Sequence, residues 1–316
     1  MNMKIRDSQD PYFGADSSNS TKSSAFPCQG VDVSQNQGDF GWDAAIDQGN
    51  IKFAFARASI GYNTEDTRFM SYWAAMAKRG ILRGAYHFGY PESIAAGMTP
   101  AEDAQQEAGY FCDLVIAAEA QVHSGQAMYD GKALPPVLDY EQKPSLDPAA
   151  QREWVNAWIA TTQARLRRGV IVYSGPNTWA ADFAGDPWLT ALPFWIAHYA
   201  NSTAPKITPW TRWVFWQWSG GGSGNIFEKL TGHSFPGAVN GGAVDLNAFW
   251  GTETQLRLIG DPSYDRWRFA DGTVGANPHA GRDPLAGSSA TAAALAKLHE
   301  ARGLIDGAIA DLESCS

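Results

Sequence analysis

Cysteine is scarce in this chain of 316 residues, which carries only Cys28, Cys112 and Cys315. An odd count without metal-ligand spacing gives no disulfide framework and leaves room for at most one intrachain disulfide. Long hydrophobic runs are missing as well, because no segment approaches the ~18 apolar residues that a membrane-spanning helix needs. The sequence therefore predicts neither a disulfide-rich fold nor a membrane-embedded one.

Basic residues are in deficit, with 24 Lys and Arg against 33 Asp and Glu and a formal net charge of −9. That balance argues against a nucleic-acid-binding surface and against tight attachment to an anionic membrane. The sequence also lacks a GxGxxG motif after the first strand, a GxSxG motif and a His/Cys cluster. We therefore expect no dinucleotide, no acyl-transfer serine, no metal and no other cofactor.

The first 24 residues are polar and serine-rich, and they lack the apolar segment of a secretory signal peptide. Residues 1–27 are interpreted as a flexible or partner-bound arm. If the substrate is extracellular, this interpretation requires that the protein reach it by a route other than a signal peptide.

Apolar residues make up 44% of the chain and include 13 Trp. So many Trp are typical of stacking platforms for sugar rings, although core packing explains any single one equally well. Strand and helix patterns alternate five times and are followed by three strands, which favours a closed barrel over an open sheet. The predicted strands are residues 30–35, 51–59, 81–90, 134–141, 169–174, 192–199, 213–219 and 243–246. The predicted helices are residues 39–47, 67–78, 100–118, 147–168 and 176–183.

These patterns predict an α/β fold, an irregular (β/α)5(β)3 TIM-like barrel over residues 28–250. Residues 251–290 are rich in Gly, Pro, Asp and Arg and are predicted to be a linker or a surface wrap. Residues 291–316 are predicted to be a C-terminal helical extension, which either forms a coiled coil or packs back on the barrel. A coiled coil would make a homo-oligomer or contact a virion partner. The apolar heptad positions are Leu295, Leu298, Ile305, Ile309 and Leu312.

The stretch from Leu134 to Glu141 carries the clearest chemical signal. Its apolar run ends in Asp139 and Glu141, one residue apart, and alternate side chains of a strand share a face. Their Cα atoms would lie roughly 6.5 to 7 Å apart at ~3.3 Å per residue. Like charges this close cost energy unless one holds a proton or both have hydrogen-bond donors, which suits acid–base chemistry.

Other polar side chains stand at the ends of predicted strands, where a parallel barrel gathers its catalytic groups. Asp32 on the first strand and Asp245 on the last join Asp139 and Glu141 as four acids on one rim. Acids combined with aromatic walls fit glycoside hydrolysis best. The remaining rim residues are Tyr86, Tyr173, His198, Gln217 and Trp218.

Seven segments, in order, resemble glycoside hydrolase family 25, the muramidases of the Chalaropsis and Cellosyl lysozyme type. The segments are Gly30–Ser34, Phe55–Ser59, Gly84–Phe88, Pro136–Glu141, Trp195–Tyr199, Trp216–Ser219 and Val244–Asn247. The resemblance implies a barrel that cleaves the β-1,4 bond between N-acetylmuramic acid and N-acetylglucosamine in bacterial peptidoglycan.

The same resemblance implies roles for single residues. Glu141 is expected to be the general acid, and Asp139 to orient either the substrate's 2-acetamido group as internal nucleophile or an attacking water. Asp32 and Asp245 are expected to maintain the charge pattern of the site, and Arg57 to pair with one of the acids. Substrate contacts are expected from Tyr86, Trp218, Tyr173, Gln217, Trp195 and Tyr199, whereas structural roles are favoured for His87 and His198.

The sequence thus predicts a peptidoglycan hydrolase. A phage endolysin or a virion-associated lysin fits best, acting on the cell wall after release from the host cytoplasm or as part of a virion. The alternative is a structural virion component or a cell-wall-binding component whose barrel is weakly active or inactive. Four clustered acids favour the enzyme, because a pure binding module does not need them.

Overall fold

The computed structural model describes residues 12, 15–16, 22–91, 94, 97–123, 130–142, 145–175, 178, 190–201, 210–222, 224–238, 244–269 and 273–279. The strands are β1 (Ala15–Asp16), β2 (Cys28–Val33), β3 (Ile51–Ile60), β4 (Thr64–Glu65), β5 (Leu82–Phe88), β6 (Val137–Asp139), β7 (Ile171–Ser174), β8 (Phe194–Ala197), β9 (Arg212–Trp213), β10 (Phe215–Ser219), β11 (Asp245–Phe249), β12 (Arg266–Arg268) and β13 (Val274–Ala276). The helices are α1 (Trp42–Asp47), α2 (Phe69–Arg79), α3 (Pro100–His123), α4 (Pro148–Leu166), α5 (Ile226–Thr231) and α6 (Glu253–Ile259). None of these described helices combines the length and apolar character needed to cross a membrane.

Eight of the described strands close into a barrel, which confirms the predicted fold. Neighbours pair in the order β2, β3, β5, β6, β7, β8, β10 and β11, and β11 pairs back with β2. The pairs are parallel except those of β11, which runs antiparallel to both of its neighbours. Because β11 is reversed, its first residue, Asp245, lies opposite Asp32 at the carboxyl end of β2.

Large aromatic side chains fill the barrel interior. The ring of Phe55 stacks on Trp195 at 4.5 Å and meets the edge of Phe215 at 5.2 Å between centroids. Gly84 of β5 makes room for this packing, since a Cβ there would lie 2.2 Å from the Phe55 ring. The filled interior confines open space to one end of the barrel.

The long helices cover the outside of the sheet. Helix α4 begins at the predicted position, with Asp147 Oδ1 accepting a hydrogen bond from Ala150 N at 2.9 Å and Pro148 in the first turn. Helix α2 ends before Gly80, whose φ of 69° lies in the left-handed region that favours glycine. The predicted apolar stripe of α4 is buried along its whole length: Trp154, Trp158, Ile159, Thr162 and Leu166.

Several predicted boundaries differ from those in the structure. The first helix begins at Trp42 instead of Asp39, and α3 continues to His123. The fourth strand is only three residues long and stops at Asp139, so Glu141 lies in the loop that follows. The predicted C-terminal helix at 291–316 lies outside the described residues, as does most of the predicted helix at 176–183.

The predicted arm and linker meet at the base of the barrel. Tyr12 is buried, and its hydroxyl donates a hydrogen bond to Asp265 Oδ1 at 3.2 Å. Asp265 Oδ2 accepts from Arg168 Nε and from Gly169 N, both at 2.7 Å. Arg168 also donates from Nη1 to the carbonyl of Ala133 at 2.7 Å, at the amino ends of β6 and β7 and therefore opposite the carboxyl ends of the strands.

The barrel domain continues past the predicted boundary at residue 250, which is therefore wrong. Leu256 and Ile259 of α6 are fully buried with the interior aromatics. Strands β12 and β13 form a hairpin instead of an irregular linker. At the other end of the chain, β1 pairs with β9, so the described part of the arm packs on the barrel too.

Candidate active site

A cavity of about 190 Å³ opens at the carboxyl ends of the parallel strands. Each of the eight barrel strands contributes to it, directly or through the loop that follows. The structure brings together here the four acids that the sequence singles out. The described lining residues are Asp32, Ser34, Asn36, Gln37, Arg57, Tyr86, Phe88, Asp139, Glu141, Tyr173, Trp195, Tyr199, Gln217 and Asp245.

Asp139 and Glu141 lie on one wall at different depths. Asp139, the last residue of β6, is buried, whereas Glu141 is exposed at the mouth. The intervening Tyr140 turns away and packs on Trp154 with 5.8 Å between ring centroids. The backbone of Tyr140 stays in register with β7, because its N–H donates to the carbonyl of Tyr173 at 3.0 Å. The alternation of a strand therefore persists past the end of β6, and both carboxyl groups face the cavity.

The two carboxyl groups lie close enough to shift each other's pKa. Burial raises the pKa of Asp139, and the charges of Glu141 and Asp32 raise it further. Burial also raises the pKa of Glu141, while the hydrogen bond with Asp139 opposes that shift. Both carboxyl groups are therefore protonated more readily than isolated ones, and burial and two neighbouring charges favour the proton on Asp139.

Asp32 is held by two amide side chains. Its Oδ2 accepts from Gln217 Nε2 at 2.9 Å and from Asn247 Nδ2 at 2.7 Å. The oxygens of both amides are occupied, because Tyr173 donates its hydroxyl to Gln217 at 2.9 Å and Trp195 donates Nε1 to Asn247 at 2.8 Å. Each amide must therefore turn its NH2 group toward Asp32. Burial and the charge of Asp245 raise the pKa of Asp32, and the two amide donors oppose that shift.

Asp245 completes the acidic group from the opposite strand. Burial raises its pKa to about 6, although a hydrogen bond from the backbone N–H of Gly221 favours the ionised form. Sequence reasoning missed Asn247 as a site residue. The available signal was its spacing, since Asn247 lies two residues after Asp245 on the same strand face.

The predicted substrate-binding residues separate into two groups. Tyr86, Tyr173 and Trp195 are buried walls of the cavity, and Gln217 reaches it while holding Asp32. Tyr199 stands at the rim with 59% of its surface exposed.

Trp218 is not among the described residues that line the cavity, and its sugar contact stays a prediction. Alternate residues of β10 face opposite sides, so Gln217 points inward whereas Trp216 and Trp218 pack in the outer core. Trp218 Nε1 donates to Gln29 Oε1 at 3.1 Å.

Arg57 was predicted to pair with one of the four acids. It lines the cavity, but its ion pair is with Asp66. Its Nε donates to Oδ2 of the fully buried Asp66 at 2.9 Å. Sequence reasoning also missed the cavity residues Ser34, Asn36, Gln37 and Phe88. Asn36 and Gln37 lie in the loop after β2, which no motif marked. Ser34 and Phe88 end two of the resembling segments but were not assigned to the site.

A serine–histidine–glutamate chain lies outside the cavity. Ser59 Oγ and His87 Nδ1 are 2.9 Å apart, and His87 Nε2 lies 2.8 Å from Glu107 Oε2. Ser59 is fully buried, so no substrate can reach it. These two contacts link β3, β5 and α3. His87 therefore has the structural role that the sequence analysis favours. Within the described residues, no group of three or more His, Cys, Asp or Glu could hold a metal ion.

The comparisons with known proteins agree with this geometry. The family model of Glycosyl hydrolases family 25 matches residues 31–225. The chain belongs to glycosyl hydrolase family 25. The match includes Asp32, Asp139 and Glu141, whereas Asp245 and Asn247 lie beyond its end.

Individual relatives are similar over most of this family 25 chain. Lysozyme M1 of Streptomyces globisporus is 30% identical over 238 residues, which cover 73% of this chain and 70% of the relative. The N,O-diacetylmuramidase of Arthroderma benhamiae is 26% identical over 211 residues, covering 63% of this chain and 82% of the relative. The crystal structure of a lysozyme from Streptomyces coelicolor has a TM-score of 0.59 at 29% identity, covering 75% of this chain and 98% of that one. The chain is therefore a glycoside hydrolase of the muramidase type that acts on peptidoglycan.

Proposed function

We propose that Glu141 is the general acid in cleavage of the β-1,4 bond between N-acetylmuramic acid and N-acetylglucosamine. The observation that carries this role is the placement of Asp139 and Glu141 in one cavity, where burial raises the pKa of both carboxyl groups. Glu141 is the exposed member and can reach a glycosidic oxygen. Because its pKa is raised, Glu141 retains a proton that it can deliver to the leaving oxygen.

The role of Asp139 follows from its contact with Glu141. In inverting glycosidases the acid and the base flank the sugar at ≈ 6.5–9.5 Å, and in retaining enzymes the acid and the nucleophile lie ≈ 5–5.5 Å apart. Asp139 and Glu141 lie on one wall of the cavity, and their carboxyl groups are therefore on the same side of the bond to be cleaved. Asp139 is therefore suited to orienting the 2-acetamido group as internal nucleophile, and an attacking water is the alternative.

Asp32 and Asp245 face this pair and place negative charge where the sugar becomes positive. The transition state of glycoside hydrolysis resembles an oxocarbenium ion, which nearby carboxylates stabilise. The amides of Gln217 and Asn247 hold Asp32 in place, so it needs no reorganisation during the reaction. Tyr86, Tyr173 and Trp195 form apolar walls that contact the sugar faces.

The test is mass spectrometry of fragments released from defined cell walls and reduced with borohydride. Reduced N-acetylmuramic acid at the new end is expected, whereas reduced N-acetylglucosamine would contradict the assignment. Proton NMR of the first anomer formed separates the two roles of Asp139. Retention supports the acetamido nucleophile, and inversion supports the water.

The phage setting, as endolysin or as virion-associated lysin, is a further proposal that rests on the sequence alone. Mass spectrometry of purified virions tests it against the soluble fraction of the lysate. Clearing of cell walls by the pure protein distinguishes an active lysin from a structural component with an inactive barrel.

A further inference from the structure

The cavity contains one basic side chain among its described lining residues, Arg57. Its partner Asp66 has both carboxylate oxygens engaged. Asp66 Oδ2 accepts from Arg57 Nε and from Gln35 N, both at 2.9 Å, and Oδ1 accepts from Arg68 N at 3.0 Å. Asp66 therefore fixes the guanidinium by one edge and is itself fixed by two backbone N–H groups.

The other edge of the guanidinium is available to a ligand. The Arg57 side chain is only 12% exposed, and none of the residues that the structure describes accepts a hydrogen bond from its Nη atoms. The Nη atoms are not among the fully buried atoms that lack a hydrogen-bond partner, so they are accessible from the cavity. A substrate oxygen in the cavity would satisfy both Nη groups at once, in the two-point geometry that arginine favours.

The chemistry of the substrate narrows the choice of that oxygen. Both sugars of peptidoglycan carry a 2-acetamido group, but only the muramic residue carries a lactyl ether with a carboxyl-derived oxygen pair. Four acids repel an anionic group from the rest of the cavity, which leaves Arg57 as its point of attraction. Provided that the proposed function holds, we infer that Arg57 binds the lactyl carbonyl or carboxylate and thereby selects muramyl glycans over plain N-acetylglucosamine polymers.

The loop after β2 lines the cavity along with Arg57 and supports a substrate contact beside that residue. Ser34 N donates to Gln37 Oε1 at 2.7 Å, which closes a short turn whose residues line the cavity along with Arg57. Arg57 also stands beside Tyr86 in the β3–β5 register, one strand away from Asp32. The guanidinium is thus near the acids without being neutralised by any of them.

The test compares three soluble β-1,4 glycans. They are peptide-bearing strands, strands stripped of peptide by an amidase so that the lactyl carboxylate is free, and a chitooligosaccharide used as competitor. Arg57→Gln is expected to lower kcat/KM on the stripped strands about 10- to 100-fold, mainly through KM, because charge-assisted hydrogen bonds are lost. The loss should be smaller on peptide-bearing strands, where the lactyl group is a neutral amide. The inhibition constant of the chitooligosaccharide should change by less than about twofold.

Arg57→Lys keeps the charge but not the two-point geometry and should restore the stripped-strand activity only in part. Arg79→Gln removes the same charge from a surface ion pair with Asp43 and is the matched control. Equal losses on both strands together with weaker competitor binding would overturn the inference, because Arg57 would then act through the fold or through the acids. An unchanged KM on stripped strands would also overturn it. Failure of the proposed function is a separate result, since it would appear as a wrong reducing end with the unaltered enzyme.

Discussion

The carboxyl groups of Asp139 and Glu141 line the same cavity at the end of β6, and the charge of Glu141 raises the pKa of Asp139. One lies buried and the other opens to solvent, so the pair combines a protected proton with an accessible donor. This arrangement explains how a carboxyl group can stay protonated for general-acid work above its ordinary pKa.

Asp139→Asn is expected to lower the turnover of peptidoglycan by about 10²- to 10³-fold. The amide would donate to Glu141 without adding negative charge, so it would stabilise the ionised form and lower the pKa of Glu141. The alkaline limb of the pH–rate profile should therefore move to lower pH. An unchanged rate and an unchanged limb would remove Asp139 from the site.

Asp245→Asn is expected to raise the melting temperature at pH 7. The pKa of Asp245 is about 6 in the fold, above its ordinary value, so the unfolded chain loses this proton first as the pH rises. Its contribution to stability is present below pH ~4 and is lost as the pH rises to about 6. The gain in the variant should be on the order of 1–3 kcal/mol at pH 7 and vanish near pH 4.

Thermal unfolding of both proteins at the two pH values measures this difference. Asp47→Asn is the control, because Asp47 is an exposed acid at the end of α1. An equal gain at pH 4 and pH 7 would show that Asp245 does not titrate as described.

Asn247→Ala is expected to reduce activity about 10-fold or more, because Asp32 loses one of its two amide donors and Trp195 loses its acceptor. Trp218→Phe should retain activity within about twofold, since this side chain packs outside the cavity. Steady-state kinetics on soluble glycan strands compares the two variants. A larger loss of activity in Trp218→Phe than in Asn247→Ala would mean that β10 presents its other face to substrate.

Deletion of residues 290–316 is expected to leave a folded, active barrel, because residues before position 280 form the described core and the cavity. Asp265→Ala should instead cost roughly 3–5 kcal/mol, since it leaves the buried charge of Arg168 without its partner. Chemical denaturation and wall clearing measure both. Precipitation of the truncated chain would place residues 290–316 within the core.

The barrel and the acid motif could be predicted because their signals are local. Strand alternation at Pro136–Glu141 and the capping signal at Asp147 lie within a few residues, and they recur in the fold. The contacts that sequence reasoning missed are long-range. Tyr12 meets Asp265 across 253 residues, and no periodicity marks such a pair. A strand pattern predicts alternation but not which face turns inward, so the sequence could not tell that Gln217 lines the cavity and Trp218 does not.

The central claim is that Glu141 supplies the proton to the leaving oxygen. Glu141→Gln and the unaltered enzyme can be compared on peptidoglycan strands and on a nitrophenyl glycoside of a muramyl disaccharide, whose leaving group departs without a proton. Glu153→Gln, at an exposed position on α4, is the matched control. The account predicts a loss of about 10²- to 10⁴-fold on the natural strands with most activity retained on the nitrophenyl glycoside. Equal losses on both substrates, or none on the natural strands, would contradict it.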